Sequence, residues 1–261
     1  MRLLQWISAK LSGRSSKYQL VRSLVQEGYD QLKLEEYEKA RATFLQALDL
    51  RDELENSGLL EYVLTGLDTT WLLTEKFDEG ITFFADYISR YPDDSAAYCG
   101  RAGALWYSGQ LEKAIHDYSR MLELAPSNIM ALSGRGQVFA EMGSNEKALD
   151  DLDLALRSLK MEPSSDSDWN AIEAFVRRGR GVALAGLGQN ESAMDEFNAS
   201  IKLCPENAWV YHSRAHVYDT VGDHKKASSD YQVALAKKGP ALTPIQREHA
   251  NARMRELLVQ G

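Results

Sequence analysis

Three potential metal ligands, His212, His216 and Asp219, follow one another at helical spacing near the C-terminal end of the sequence. Positions i, i+4 and i+7 share one face of a helix, and imidazole and carboxylate groups are common ligands of Zn²⁺. The spacing is therefore compatible with a metal-binding protein or a metal-dependent hydrolase. Because no HExxH motif accompanies it and no fourth ligand can be named, the sequence favours the other interpretation, a polar wall of a binding surface, and predicts no metal site.

No other motif of catalysis or cofactor binding occurs in the sequence. The patterns GxxxxGK[ST], GxSxG and GxGxxG are absent, and Gly179 and Gly181 lie inside a helical pattern, not after a strand. Cys99 has no histidine partner that the sequence identifies. We therefore expect a protein that is not an enzyme and carries no cofactor.

The composition of the chain bears on which partners it binds and on the cellular compartment in which it is expected. The chain has 261 residues, of which 44% are apolar, and a formal charge of -8 from 38 acidic and 30 basic residues. Because an acidic surface repels phosphate, the charge argues against a general nucleic-acid binder. The two cysteines, Cys99 and Cys204, form no CxxC motif, which favours a reducing, cytoplasmic location over a disulfide framework.

Residues 1–20 differ from the remainder of the chain in charge, since no acidic residue precedes Glu27. Two interpretations stay open for this basic amphipathic segment: a helix that packs on the fold, or an anchor that makes the protein a membrane-associated adaptor through weak contact with an anionic surface. No stretch of the sequence reaches the roughly 20 apolar residues that a membrane-spanning helix needs. The apolar positions that would share one helix face are Leu3, Leu4, Ile7 and Leu11.

The elements that must position any site are set by an internal repeat. An alanine or glycine recurs six times, with three of the five intervals equal to 34 residues, and a ring or a leucine follows it four residues later in every copy. A fixed period of this length is the signature of a stacked-repeat architecture. The recurring small residues are Ala40, Gly80, Ala114, Ala148, Ala193 and Ala227.

Each copy has the pattern of two helices joined by a short turn. Within residues 95–128, apolar residues recur at helical spacing on both sides of the break Ser108–Gln110. A glycine stands at the turn in four copies, where it can take a left-handed conformation without steric cost, and prolines follow the second helices. The turn glycines are Gly109, Gly143, Gly188 and Gly222, and the prolines are Pro92, Pro126, Pro205 and Pro240.

These small residues, rings and terminal prolines resemble the tetratricopeptide repeat family, whose unit is a helix-turn-helix of 34 residues. The resemblance implies an all-α, right-handed superhelical solenoid with a capping helix at its C-terminal end. The first two copies depart from the family pattern, since Leu24 and Leu64 stand where the family has a leading aromatic residue. In the second copy Asp68 and Gly80 also replace the expected small pair. The expected divisions are residues 1–20, six repeats within 21–241 (21–54, 61–94, 95–128, 129–162, 174–207 and 208–241) and a cap at 242–261.

A cation and a carboxylate recur 16 residues apart in four copies. This separation places the arginine on a first helix and the acid on a second helix, so we expect structural ion pairs that hold the repeats together. An arginine that recurs in successive copies is more simply part of the scaffold than a ligand contact. The expected pairs are Arg101 with Asp117, Arg135 with Asp151, Arg180 with Glu196, and Arg214 with Asp230.

Two insertions and the C-terminal segment complete the organisation. Residues 52–60 lengthen the first connection, and residues 161–170 are expected to form a polar loop in which Ser167 or Asp168 caps an extended helix. Thr243 and Pro244 are expected to open the capping helix, with Met254, Leu257 and Leu258 on its apolar side.

The resemblance also implies a groove, because first helices of the family line a concave surface. The places that match groove positions hold mainly rings and polar groups, and the lysine and asparagine set with which some members grip an acidic C-terminus is missing. We therefore expect a non-enzymatic interaction scaffold or assembly factor that binds a peptide or helix of a partner protein, whose identity the sequence leaves open along with the oligomeric state. The expected groove residues are Tyr29, Tyr62, Thr65, Trp106, Tyr107, Gln137, Phe175, Arg178, Trp209, His212 and His216.

Overall fold

The structure is a computed structural model that describes the backbone of residues 2–161, 167–237, 242 and 244–260, and side chains within residues 16–161, 169–237, 242 and 246–257. Over the described residues it consists of fourteen helices and contains no strand. The chain divides into two compact units, residues 1–120 and residues 121–261.

The first unit holds six helices and most of a seventh. First helices alternate with second helices in the order expected from the repeat, and α4 packs against α2, α5 and α6. The helices are α1 (Arg2–Lys33), α2 (Tyr37–Leu48), α3 (Arg51–Ser57), α4 (Leu60–Leu73), α5 (Phe77–Arg90), α6 (Ser95–Tyr107) and α7 (Leu111–Leu124), which runs across the division.

Aromatic rings from second helices fill the space between the first helices of this unit. The ring of Phe44 is fully buried, and a Cβ placed on Gly28 of α1 or on Gly66 of α4 would lie 2.5 Å from it. Phe84 has the same relationship to Gly100, at 2.3 Å. The recurring glycines are thus required because a ring occupies the volume that a side chain would need.

The second unit continues the same alternation. Each helix packs on its neighbour in sequence, and the first helix α10 also packs on the first helices α8 and α12. Phe197 lies at the centre of a cluster with Leu184, Val210 and Val217. The helices are α8 (Ile129–Glu141), α9 (Asn145–Met161), α10 (Ser167–Gly186), α11 (Asn190–Leu203), α12 (Ala208–Thr220), α13 (His224–Ala236) and α14 (Pro244–Gln260).

The turns carry the left-handed conformation that the glycines predict. Gly109, Gly143, Gly188 and Gly222 have φ between 74° and 82°. In the first two copies the same register holds Glu35, with φ 60°, and Glu75, with φ 57°. Two non-glycine residues therefore adopt a conformation that is unfavourable for residues with a Cβ.

Both expected insertions contain helical residues. Residues 52–60 lengthen the first connection largely as helix α3, which ends at Ser57 and is followed by Gly58 in a left-handed conformation. The extended helix after the second insertion is present as α10, while the expected capping side chains of Ser167 and Asp168 lie outside the described residues.

The N-terminal segment is continuous in backbone with the first helix of the first repeat, within α1. Its amphipathic side chains up to residue 15 lie outside the described residues, so its role stays a prediction. In the C-terminal helix α14, Ala250 and Leu257 are buried, while Thr243, Pro244 and Leu258 lie outside the described side chains.

Candidate functional site

Ion pairs join the two helices of successive hairpins. Both oxygens of Asp117 accept hydrogen bonds from the guanidinium of Arg101, at 2.7 and 2.8 Å, and these bonds raise the pKa of Arg101. Arg135 binds Asp151 with the same geometry. The carboxylates are buried and the arginines half-buried, and each pair links the first helix of its hairpin to the second.

The later two arginines of this series make additional contacts. Arg180 pairs with Glu196 and also binds Asp153 on α9, at 2.7 Å. Arg214 binds both oxygens of Asp230 at 2.7 and 2.9 Å and also donates to Asn198 of α11 at 2.6 Å. Each of these arginines thus ties a first helix to a second helix within the second unit.

In the first unit, the expected groove residues separate into exposed and buried groups. Tyr62 keeps 57% of its surface exposed and Thr65 is also exposed. The hydroxyl of Tyr29 donates to the backbone oxygen of Tyr62 at 2.9 Å, which ties α1 to α4. Trp106 is buried, with 8% exposed, and Tyr107 stacks on Phe77 with ring centroids 6.0 Å apart.

In the second unit, four of the expected groove residues form an interior polar cluster. Gln137 of α8 donates to the backbone oxygen of Phe175 and accepts from the guanidinium of Arg178 on α10. Arg178 lies over the ring of Trp209 at 4.9 Å and donates to Ser213 at 3.4 Å. Gln137, Arg178 and Trp209 are at most 4% exposed, so this cluster links α8, α10 and α12 instead of presenting free anchors.

The histidines of α12 meet a third histidine that sequence reasoning missed. His212 Nε2 lies 3.2 Å from His249 Nδ1 on α14, and the ring centroids of His216 and His249 are 5.8 Å apart. Burial is the main cause that lowers the pKa of His212 to about 3, and the neighbouring His249, His216 and Arg178 add to it. The sequence did offer one signal for this contact: His249 and Arg253 lie four residues apart and so share one face of the predicted capping helix.

The metal interpretation finds no support in this geometry. Asp219 is turned toward Arg253, whose nitrogens lie 2.7 and 2.8 Å from its two oxygens, and its Oδ1 also contacts His224 at 3.2 Å. Over the described residues, no group of three histidine, cysteine or acidic side chains is arranged to hold a metal ion.

A second feature that sequence reasoning did not assign is the carboxyl of Asp68 on α4. Its Oδ1 is buried without a hydrogen-bond partner in the described part of the chain, and burial raises its pKa well above the ordinary value of 3.8. Gly103 of α6 stands beside it. The sequence did offer one signal for this feature: Asp68 stands at the repeat position that Gly28, Ala102 and Gly136 hold in other copies.

No helix in the described part of the chain is long and apolar enough to cross a membrane.

Comparison with known proteins identifies repeats in the middle of the chain. The family model of the tetratricopeptide repeat matches residues 74–129 and 99–163. Among curated proteins, none matches the chain in sequence at a significant level.

Several solved structures share the fold. A tetratricopeptide repeat protein from Parabacteroides merdae superposes with a TM-score of 0.55 at 22% identity, covering 93% of this chain and 94% of that one. A thermophilic TPR protein from Thermus thermophilus gives 0.55 at 17% identity, covering 76% of this chain and 99% of that one. A chain of the APC/C hetero-tetramer Cut9–Hcn1 gives 0.68 at 17% identity, and the match covers 98% of this chain but only 46% of that one. At these identities the likeness concerns the fold alone.

Proposed function

Because this chain is a tetratricopeptide repeat protein, we propose that it is a non-enzymatic scaffold that binds a peptide or helical segment of a partner protein on its first helices. Proteins with this fold commonly act as interaction scaffolds. The observation that supports the proposal most directly is the packing of first helices side by side within each unit, α4 on α6 in the first and α8, α10 and α12 in the second.

The exposed part of this surface, not the buried tryptophans, is the candidate for binding. Tyr62 and Thr65 lie on α4 with exposed side chains, and in the second unit Met130 is 46% exposed and His216 is exposed. A tyrosine offers a large, rigid ring and a hydroxyl, a combination that concentrates binding energy in interfaces. Substitution of Trp106 or Trp209 would disturb the interior and would not report on binding alone.

The experiment is affinity capture from host lysate with the full chain as bait, followed by quantification of each captured partner. The variant is Tyr62→Ala combined with Thr65→Arg, which removes the ring and places a bulky cation on the exposed face of α4. The matched control is Leu154→Ala on the second helix α9, where the side chain is 37% exposed. Circular dichroism confirms that each variant is folded.

We expect the α4 variant to lose a partner that the wild type and the control retain. Equal retention by all three proteins would contradict binding on the first helices of the first unit. Failure of the wild type to enrich any protein over an unrelated bait would contradict the scaffold function itself.

A further inference from the structure

Asp68 occupies a position that carries no charge in the other repeats. In the same register the remaining copies have glycine or alanine, because this place on a first helix lies close to the neighbouring helices. Thr65 and Leu72, three residues before and four after, share its face of α4 and keep surface exposed. Asp68 as a whole keeps part of its surface exposed, while its Oδ1 is buried.

The neighbouring helix α6 places a glycine, Gly103, beside this carboxyl. Gly103 faces it, and a Cβ placed on Gly103 would lie 3.6 Å from both Oδ1 and Oδ2 of Asp68. Because Gly103 has no side chain, α6 supplies no side-chain hydrogen-bond donor to the carboxyl from that position.

The carboxyl is poorly compensated by the rest of the protein. Oδ1 is buried and accepts no hydrogen bond from any described residue. Desolvation is the one cause that raises the pKa of Asp68, and no described cation offsets it. A carboxylate that loses water without gaining a donor is unfavourable, whereas a charge-assisted hydrogen bond supplied from outside would relieve that cost.

The surroundings are electrostatically negative. Burial raises the pKa of the Cys99 thiol on α6 to about 12, and the carboxylates of Asp68 and Glu61 contribute to that shift. Burial is also the main cause that raises the pKa of Tyr118, and Cys99, Asp68, Tyr107 and Asp117 add to it. Burial, the larger cause of both shifts, disfavours any charge, and only the smaller contribution of the neighbouring carboxylates favours a positive charge in the same place.

We propose that the carboxyl of Asp68, beside Gly103, forms a recognition site for a basic side chain, a lysine ammonium or an arginine guanidinium, of the partner segment that binds the first helices. This inference rests on the proposed function, because the cation belongs to the segment that lies across α4 and α6. It adds the chemistry of the partner: one basic residue placed among residues that contact the exposed Tyr62 and Thr65.

The proposal carries a proton linkage. A bound cation favours the ionised form of Asp68, so binding releases the proton that the desolvated carboxyl otherwise holds. The affinity for the basic group therefore rises with pH until Asp68 is ionised in the free protein, and levels off above that pH.

The test is a ¹³C NMR titration of the Asp68 carboxyl in the full chain. The probes are n-butylammonium chloride, which represents lysine, and n-propylguanidinium chloride, which represents arginine, each compared with sodium chloride at equal ionic strength and with the uncharged n-butanol. We expect at least one organic cation to lower the pKa of Asp68 by about one unit relative to sodium chloride, while n-butanol does not.

Two variants separate this site from general attraction to an acidic protein. Asp68→Asn removes the charge with little change in shape, and we expect the amide signals of Thr65 and Gly103 to lose their response to the organic cations. Asp86→Asn removes an exposed carboxyl on α5 and should leave that response intact.

An unchanged Asp68 pKa, an equal shift in sodium chloride, or a response that survives Asp68→Asn would overturn the proposed cation site. These outcomes are distinct from failure of the scaffold function, because loss of partner capture through Tyr62 and Thr65 is measured separately. A partner retained on that face with Asp68 unresponsive refutes only the cation site.

Discussion

His212 Nε2 lies 3.2 Å from His249 Nδ1, and this contact joins α12 to the C-terminal helix α14 within the second unit. One ring must donate and the other accept, so the contact needs at least one neutral imidazole. Tyr231 of α13 packs its ring 5.7 Å from His212 and 5.9 Å from His249. Cations face the pair from two further directions, Arg178 on α10 and Arg253 on α14, which both disfavour protonation.

This cluster predicts that the second unit loses stability as the pH falls. The pKa of His212 is about 3 in the folded protein and near 6.5 in the unfolded chain. The pKa of His249 is also lowered, mainly by burial, although Asp219 and Glu256 act to raise it. Between the folded and the unfolded pKa of His212, the unfolded chain therefore binds more protons than the folded protein does. Stability is complete above about pH 6.5 and decreases below it, with His212 contributing up to about 1.4 kcal/mol per pH unit.

Urea unfolding followed by circular dichroism from pH 7.5 to pH 4.5 measures this slope. We expect His212→Gln to reduce the pH dependence and His116→Gln, at an exposed position on α7, to leave it unchanged. If both variants keep the wild-type slope, His212 does not titrate as its surroundings imply.

Asp68 predicts the opposite pH dependence for the first unit. Burial raises the pKa of its carboxyl well above 3.8, so the folded protein holds a proton that the unfolded chain has already released. Stability therefore declines as pH rises from about 3.8 through the folded pKa, by up to about 1.4 kcal/mol per pH unit.

Asp68→Asn should accordingly be more stable than the wild type near pH 7.5 and show the smallest advantage near pH 4. The same urea measurement on Asp86→Asn provides the reference for loss of an exposed carboxyl. A destabilised Asp68→Asn at pH 7.5 would mean that the carboxylate is compensated in solution.

The bidentate pair of Arg101 and Asp117 predicts a large cost for removal of one partner. Asp117 is 1% exposed, and without its charge the half-buried guanidinium of Arg101 would keep its desolvation and lose its acceptor. We expect Asp117→Asn to lower the free energy of unfolding by about 3 kcal/mol. Thermal and urea denaturation measure the loss.

The exposed pair of Lys39 and Glu36, at 2.8 Å, is the matched comparison. Lys39→Met should cost no more than about 0.5 kcal/mol, because water and salt screen an exposed pair. Similar costs for the two substitutions would show that burial does not distinguish the pairs.

The hairpins could be predicted from the sequence because their determinants are local. A turn glycine and a small residue five positions later fix the register of both helices, and the partners Arg214 and Asp230 follow from that register by counting. The left-handed φ of 82° at Gly222 confirms the reasoning at that turn. The handedness of the superhelix stays a prediction, since it depends on how successive repeats are rotated.

The site could be predicted only in part, because exposure depends on helices distant in sequence. Trp209 matches a groove position by its register, yet Arg178 of another repeat covers its ring. His249 belongs to a helix outside the repeat pattern, so no register relates it to His212. The sequence shows that Asp68 departs from the glycine or alanine of the other repeats. That its Oδ1 is buried without a hydrogen-bond partner depends on how the helices pack, which the sequence does not show.

Glu35 predicts a stabilising substitution. Its φ of 60° is the conformation that glycine supplies in the last four copies, and a left-handed conformation costs a residue with a Cβ about 1 to 2 kcal/mol. Glycine loses more conformational entropy on folding, which offsets part of the gain. We expect Glu35→Gly to raise the free energy of unfolding by about 1 kcal/mol, measured by urea denaturation.

The adjacent Glu36 provides the control, because its φ of -87° lies outside the left-handed region that favours glycine. Glu36→Gly removes an acid at nearly the same place but relieves no strain, so we expect it to lower stability. The pair thus separates conformation from charge at this turn. Equal effects of the two substitutions would assign the change to charge, and the left-handed turn of the first repeat would then carry no measurable cost.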